Sequence, residues 1–427
     1  MGRRPGASAA ICVCGDCPFG QLETEHATVN KPSGCSDPVR TQGPRLTSLL
    51  AFTRCPVAPF MGRLIQRGQR GKRRIRLGRP RMNAAGAMRL AVIGDSQHAV
   101  CDHPAVWDAQ CAWLAAMAPA PRELGAHGAF DTPIARTDAR SMETGAAGHG
   151  PHDSSISSPL NAPLRAVLHV GDVVQRNTLA EWRIAAAGLR RLERAGLPVY
   201  LTLGNHDFGE RGKADDRTTH ALNVLGEDFA RRQPGYLEAF ETGGLDNCLY
   251  RVPGHRSLHV LTLELATRPA VLAWARAALE AHRCSEVIVL THAALYRDGS
   301  LYDAVLHDDA RAPRQKWRPQ SYGLWAPGCM DAGDLWRAFF SKTPAVRAIF
   351  CGHAVGLATP LVHLVREAPL PPVDGLLTNY QDDPEGGAGF THFVTLPPGA
   401  DPWHYVSASS RTPLQPLTAQ PHGAESD

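Results

Sequence analysis

The feature that most constrains the fold is the apolar run 197–203 together with the polar tetrapeptide that ends it. The run is Leu-Pro-Val-Tyr-Leu-Thr-Leu, and Gly204-Asn205-His206-Asp207 follows directly. An apolar run that stops at such a cluster is typical of a buried strand with polar side chains at its carboxyl end. In open α/β sheets, ligands bind at that end. We therefore predict a buried strand that delivers these side chains to a binding site.

Four further apolar runs, 90–93, 166–170, 287–290 and 345–350, also stop at polar residues. A single Gly-Asp after a strand usually forms a turn or a helix N-cap, so one such ending has little weight. Five endings of this kind along one chain are hard to explain by turn chemistry. Their carboxylates, amides and imidazoles suit Mn, Fe or Zn better than Ca. The residues concerned are Asp95, Gln97, Asp172, Asn205, His206, Asp207, His292 and His353.

The segments between these runs predict the class of fold. Apolar residues recur at helical spacing over 105–117 and 179–195, each between two of the predicted strands. The first half therefore contains two successive strand–helix–strand units, which indicates a parallel sheet covered by helices. In the second half, 247–252 and 257–264 predict a hairpin around Pro253-Gly254. A helix over 269–282 and short strands near 376–380, 391–396 and 403–406 follow. The sequence thus predicts an α/β fold with parallel and antiparallel strands.

The first 87 residues have a different character. Between Val39 and Gly94 there are 13 Arg or Lys and no Asp or Glu, so the rest of the chain is acidic despite a formal net charge of +4. We interpret 1–87 as a disordered basic leader or as an over-extended start, with Met88 opening the first strand. The alternatives are that this leader is a transit segment or that it binds nucleic acid. For the rest of the chain we expect no nucleic-acid partner.

The remaining boundaries follow from composition. We predict one domain over 88–409, with a loop insertion at 119–163, a lid-like loop at 297–330 and a polar tail at 410–427. No apolar run approaches the roughly 18 residues of a membrane span. Scattered cysteines and the lack of a clear secretory signal favour a cytoplasmic location.

The ordered motifs Asp-x-Gln, Gly-Asp-x-Val, Gly-Asn-His-Asp, Thr-His and Gly-His resemble the calcineurin-like metallophosphoesterase family over 88–409. The resemblance implies a four-layer α-β-β-α sandwich, in which two mixed β-sheets pack face to face and are flanked by helices. It also implies two divalent metal ions, Mn, Fe or Zn, at the sheet edges. The implied reaction is hydrolysis of a phosphomonoester or phosphodiester by in-line attack of a metal-activated hydroxide.

The resemblance also assigns roles residue by residue. Asp172 would bridge both metals, and His206 would act as a donor or acid outside the metal shell, with Asp207 orienting its ring. The implied ligands are Asp95 and Gln97 for the first metal, and Asn205, His292 and His353 for the second.

Two departures from the family pattern affect the first metal. The family usually has His at the position of Gln97, and a second His at the position of Val355. An amide oxygen is a weaker ligand than imidazole and Val is none, so the first site would be weak or take Mg. The alternative to an enzyme is therefore a non-catalytic phosphate- or partner-binding module on the same fold.

Four weaker candidates for substrate binding complete the set. Arg297 is placed to clamp a phosphate, although most exposed arginines do nothing so specific. Gln175 follows the second motif and could reach the pocket. Asn379 and Gln381 alternate on a predicted strand, so that both could line the site from the opposite sheet.

Overall fold

The computed structural model describes residues 86–119, 162–305, 318–355, 361–398, 401–416 and 420–421. The predicted leader, except for its last two residues, lies outside the described residues. So do most of the predicted 119–163 insertion and the middle of the predicted 297–330 loop. The boundaries proposed for these segments therefore remain predictions.

The first sheet has six strands in the order β13-β12-β11-β1-β2-β3. Strands β1, β2 and β3 are parallel, as the strand–helix–strand pattern predicts, whereas β11 runs antiparallel to β1 and β12 antiparallel to β11. The sheet is therefore mixed. Its strands are β1 (Met88–Ile93), β2 (Leu164–His169), β3 (Val199–Leu201), β11 (Phe390–Leu396), β12 (His404–Ser409) and β13 (Thr412–Pro416).

The second sheet has eight strands in the order β14-β9-β10-β8-β7-β6-β5-β4. Strands β6, β7, β8 and β10 are parallel, and the predicted hairpin is present as antiparallel β5 and β6. The strands are β4 (Tyr236–Ala239), β5 (Cys248–Arg251), β6 (Leu258–Leu263), β7 (Glu286–Thr291), β8 (Val346–Cys351), β9 (Leu361–Leu364), β10 (Val373–Leu377) and β14 (Gln420–Pro421).

The helices lie mainly between strands of the parallel parts. The helix predicted over 179–195 is amphipathic and begins at Thr178, whose side chain accepts a hydrogen bond from Glu181 N–H as an N-cap. The helices are α1 (Gln97–Asp102), α2 (Pro104–Ala116), α3 (Leu179–Arg194), α4 (Ala221–Leu225), α5 (Phe229–Arg232), α6 (Pro269–Ala281), α7 (Ala332–Ala338) and α8 (Pro384–Gly387). Among the described helices, none is long and apolar enough to cross a membrane.

Alternating side chains of the strands divide the core into layers. In β1, Leu90 and Val92 belong to an apolar cluster shared by the two sheets, whereas Ala91 and Ile93 belong to the cluster that also contains residues of α2 and α3. In β7, Ile288 likewise belongs to the cluster between the sheets. The fold is an α/β sandwich of two mixed sheets with helices, as expected.

Two predictions about secondary structure are wrong. The predicted polar tail at 410–427 contains β13, which pairs with β12, and β14, which pairs with β9. Both strands lie at sheet edges, where backbone pairing requires no apolar alternation. The strand expected over 376–380 is also displaced, because β10 ends at Leu377 and the following residues leave the sheet.

Candidate metal centre

Four of the predicted metal-binding residues come together where the strands end. Asp172 follows β2, Asn205 opens a short helical turn after β3, and His292 and His353 follow β7 and β8. All four side chains are buried. Ligand atoms of Asp172, His292 and His353 lie within 4.8 Å of one another.

The hydrogen bonds of His292 fix which of its nitrogens faces this cluster. Its Nδ1 lies 3.0 Å from the carbonyl oxygen of Val170, which can only accept, so Nδ1 carries the proton. Its Nε2 lies 3.1 Å from Asn205 Oδ1 and 3.3 Å from Asp172 Oδ2. In the neutral ring this nitrogen is an acceptor facing two oxygens, and a cation placed between them would satisfy all three.

His353 completes the set. Its Nδ1 lies 2.9 Å from Asn205 Oδ1, and its buried Nε2 has no hydrogen-bond partner among the described residues. Burial lowers the pKa of His353 to about 3, so its ring is neutral and able to bind a metal. Two imidazoles, a carboxylate and an amide oxygen fit Mn, Fe or Zn.

The charges of the cluster are coupled. Burial opposes protonation of His292, but the carboxylates of Asp172 and Asp95 outweigh it and raise the pKa of His292 to about 9. Burial alone would raise the pKa of Asp172, yet the neighbouring imidazoles His292 and His206 hold it well below its usual range. The two carboxylates thus favour a positive charge at this position.

The backbone is strained at two of these ligands. Asp172 has a φ of 50° and His353 a φ of 71°, in the left-handed region that favours glycine. Each is preceded by a glycine, Gly171 or Gly352. Strain of this kind is typical of functional sites, where it directs a side chain inward.

The predicted ligands of the first metal are arranged differently. The Asp95 carboxylate accepts hydrogen bonds from the backbone N–H of His353 (3.0 Å) and from Nδ2 of Asn379 (2.7 Å). Burial raises the pKa of Asp95 well above its usual range. Gln97 is buried, and with its amide turned so that the nitrogen and oxygen exchange places, the nitrogen donates to Asp172 Oδ2 over 3.1 Å. The residues expected to hold the first metal thus fit an ion less well than the second set.

The predicted acid His206 lies beside Asp172, but its orienting partner is not the one expected. The half-buried ring places Nδ1 3.0 Å from the carbonyl oxygen of Gln175, and the backbone N–H of His206 donates to Asp172 Oδ1 over 2.8 Å. The carboxylate of Asp207 instead accepts backbone hydrogen bonds from Val173, Val174 and Gly204 over 2.9–3.1 Å.

The assignment of Asp207 as the group that orients the His206 ring is therefore corrected. Asp207 lies inside the short turn 205–207, which directs its side chain inward to the backbone that follows Asp172. The carbonyl oxygen of Gln175 lies beside Nδ1 of the His206 ring instead and accepts its hydrogen bond.

The weaker candidates have different positions. Asn379 lies beyond the end of β10, not on a strand, and donates a hydrogen bond to Asp95, which follows β1 of the other sheet. Gln381 also follows β10, and Oε1 of both Gln175 and Gln381 lies within 3.3 Å of the Gln97 amide. Among the described residues, Arg297 forms no hydrogen bond with this group, and it is half-buried.

Three further residues near the site, His169, Tyr302 and Tyr322, were not among the sequence candidates. His169 Nδ1 accepts from the backbone N–H of Gly171, so its Nε2 donates to Ser96 Oγ and connects the turns after β1 and β2. The rings of Tyr302 and Tyr322 meet that of His353 edge to face, at centroid distances of 5.2 and 5.8 Å. Both tyrosines come from the predicted lid-like loop, whose aromatic residues were the available hint.

No relative was found among curated protein sequences. A purple acid phosphatase, PPD1 from yellow lupin (Lupinus luteus), is 11% identical, with 78% of this chain and 54% of that chain covered and a TM-score of 0.41. The calcineurin-like phosphoesterase YfkN from Bacillus subtilis is 14% identical, with 76% and 91% covered and a TM-score of 0.32. The chain thus spans about half the length of the lupin enzyme.

A family match gives the stronger result. Residues 88–356 match the model of the calcineurin-like phosphoesterases, a span that begins with β1 and ends just after His353. It therefore includes every strand end that supplies Asp172, Asn205, His292 and His353. On this evidence the chain belongs to the calcineurin-like phosphoesterase family.

Proposed function

We propose that the chain is a metal-dependent phosphoesterase that hydrolyses a phosphomonoester or phosphodiester. The observation that carries the proposal is the convergence of Asn205 Oδ1 and Asp172 Oδ2 on His292 Nε2, with His353 Nδ1 beside the same Asn205 oxygen. The proposed ligands of the ion are Asp172, Asn205, His292 and His353. Mn, Fe and Zn suit this mixture of oxygen and nitrogen donors.

A divalent ion held there would polarise a phosphoryl oxygen and lower the pKa of a bound water. The protein supplies the geometry. The Val170 carbonyl fixes the His292 ring, and the backbone N–H of His206 holds Asp172 Oδ1, so both ligands are oriented before substrate arrives. Such preorganisation avoids the cost of ordering the ligands during the reaction.

His206 is the proposed acid for the leaving group. With Nδ1–H donated to the Gln175 carbonyl, the second nitrogen Nε2 is left for a proton that can pass to the departing oxygen. His206 is half-buried, so the ring can contact both solvent and substrate. No covalent intermediate is required, since hydrolysis by water needs only the ion, the acid and in-line positioning.

The second candidate function is a non-catalytic phosphate- or partner-binding module. The observation that favours it is the weak set of ligands for the first metal, with Gln97 donating to Asp172 and Val355 in place of an imidazole. Retention of His206 beside Asp172 favours the enzyme, because a binding module needs no acid for a leaving group.

Hydrolysis by the full chain loaded with Mn²⁺ tests the proposal, with phenyl phosphate, p-nitrophenyl phosphate and bis-p-nitrophenyl phosphate as substrates. In His206→Ala we expect kcat for phenyl phosphate to fall roughly 100- to 10,000-fold. The loss for p-nitrophenyl phosphate is expected to be smaller, because that leaving group departs without a proton. Binding of inorganic phosphate should be unchanged.

The control is His404→Ala, which removes an exposed histidine of β12 and should leave all rates unchanged. Equal losses for good and poor leaving groups would contradict the acid role of His206. A wild-type protein that binds phosphate but hydrolyses none of the three substrates with Mn²⁺, Zn²⁺, Fe²⁺ or Mg²⁺ would support the binding module instead.

A further inference from the structure

Three glutamine side chains meet beside Asp172. The amide of Gln97 lies 3.1 Å from Asp172 Oδ2, 2.7 Å from Gln381 Oε1 and 3.3 Å from Gln175 Oε1. Gln97 is buried and the other two are half-buried. We call Gln97, Gln175 and Gln381 the amide cluster.

Gln97, at the centre of the amide cluster, is one of the two residues expected to hold the other ion of a two-metal site. An ion there needs anionic or imidazole ligands besides Asp172, and the carboxylate of Asp95 already accepts hydrogen bonds from N–H groups of His353 and Asn379. Val355, two residues after His353, offers no ligand atom. In the described part of the chain, only Asp172, His292 and His353 form a group of potential metal ligands.

The amide cluster also competes with an ion for Asp172. An ion bound by both Asp172 and Gln97 would need the amide oxygen of Gln97 turned toward it, whereas the orientation that satisfies the neighbours of Gln97 places the amide nitrogen against Asp172 Oδ2. The amide oxygens that could bind an ion there are neutral, so they compensate little of the charge of a divalent cation. The same amides are well suited to donate to the oxygens of a phosphate.

We propose that this chain holds a single divalent ion, at Asp172, Asn205, His292 and His353, and that the amide cluster replaces the other ion of a two-metal site. The inference rests on the ligand assignment made under the proposed function. It does not depend on turnover, because the number of bound ions is measured without substrate.

The experiment is equilibrium dialysis of the full chain, stripped with a chelator, against excess Mn²⁺, followed by elemental analysis. We expect the wild type to saturate at about one ion per chain, and His292→Ala to retain almost none. In Gln97→His/Val355→His, which restores two imidazoles beside Asp95 and Asp172, we expect about two ions.

The matched control makes the same two changes at exposed positions. Gln320→His/Val365→His adds two histidines outside the site, Val365 being 71% exposed, and should saturate as the wild type does. If the Gln97→His/Val355→His variant fails to fold, the number of Mn²⁺ ions bound per wild-type chain at saturation still tests the inference. Two ions in the wild type would overturn the inference, and so would none.

The outcomes separate this inference from the proposed function. One bound ion without hydrolysis of any substrate would contradict the phosphoesterase and leave the single-ion site standing. Two bound ions with hydrolysis would contradict the single-ion site and leave the phosphoesterase standing.

Discussion

At the scale of single residues, the carboxylate of Asp207 holds two turns of the site together. It accepts from the backbone N–H groups of Val173, Val174 and Gly204, so the segment after Asp172 is tied to the segment that carries Asn205. Burial, and then the charge of Asp172, raise the pKa of Asp207, while the three N–H groups oppose that shift. Its contribution is therefore to stability and ligand position.

We expect Asp207→Ala to lower the free energy of unfolding by about 3 kcal/mol, since three buried N–H groups lose their acceptor. Asp207→Asn keeps one acceptor oxygen and should cost about half as much. Chemical denaturation of both variants, stripped of metal, measures the difference. If both variants were as stable as the wild type and lost only hydrolysis, Asp207 would act on the His206 ring after all.

At the scale of secondary-structure elements, glycines at the strand ends let side chains approach the backbone. A Cβ on Gly352, directly after β8, would overlap Asp95 Oδ1 and lie 2.8 Å from Val170 Cγ2. A Cβ on Gly204, after β3, would overlap Asp172 Oδ1 and lie 2.7 Å from His292 Cε1. The turns that carry the ligands thus depend on the absence of these atoms.

We expect Gly352→Ala to displace Asp95 and the adjacent His353, lowering the free energy of unfolding by about 2 kcal/mol. Because His353 moves, Mn²⁺ affinity should fall roughly tenfold, as expected when a supporting contact of a ligand is lost. Calorimetry and Mn²⁺ titration measure the two effects. Gly244→Ala is the control, since the nearest atom to its added Cβ lies 3.1 Å away in an outlying turn. If Gly352→Ala bound Mn²⁺ with the affinity of the wild type, the expected displacement of Asp95 and His353 by the added Cβ would be contradicted.

At the scale of the whole molecule, the two sheets must stay in register for the ligands to meet. Asp172 and Asn205 come from the six-stranded sheet, whereas His292 and His353 come from the eight-stranded one. Between the sheets, the rings of Tyr200 (β3) and Tyr250 (β5) stack at a centroid distance of 4.2 Å. Tyr200 also donates its hydroxyl to the Pro234 carbonyl over 2.5 Å.

We expect Tyr250→Ala to lower the free energy of unfolding by about 3–5 kcal/mol, because it empties a fully buried ring site between the sheets. Tyr250→Phe retains the stacked ring and should cost about 1 kcal/mol. Urea denaturation followed by fluorescence gives both values. Equal costs for the two variants would mean that the hydroxyl, and not the stacked ring, accounts for the contribution of Tyr250.

Much of the fold could be predicted from the sequence because its signals are local. The runs that became β1, β2, β3, β7 and β8 are apolar and end at polar residues, and α3 has a helical period together with an N-cap at Thr178. The edge strands β4, β13 and β14, and β9 next to β14, were missed. An edge strand is held by backbone pairing on one side and leaves little trace in the order of side chains.

The site divides in the same way. The sequence by itself determined which residues end the buried strands, since strand length and polarity are properties of neighbouring residues, and it therefore identified Asp172, Asn205, His292 and His353 as candidates. Only the tertiary structure decided which groups contact the other predicted site residues. Asp207 accepts from three backbone N–H groups, and Gln97 meets Gln175 and Gln381. Those contacts depend on sheet register and turn direction, which bring together atoms from distant parts of the chain.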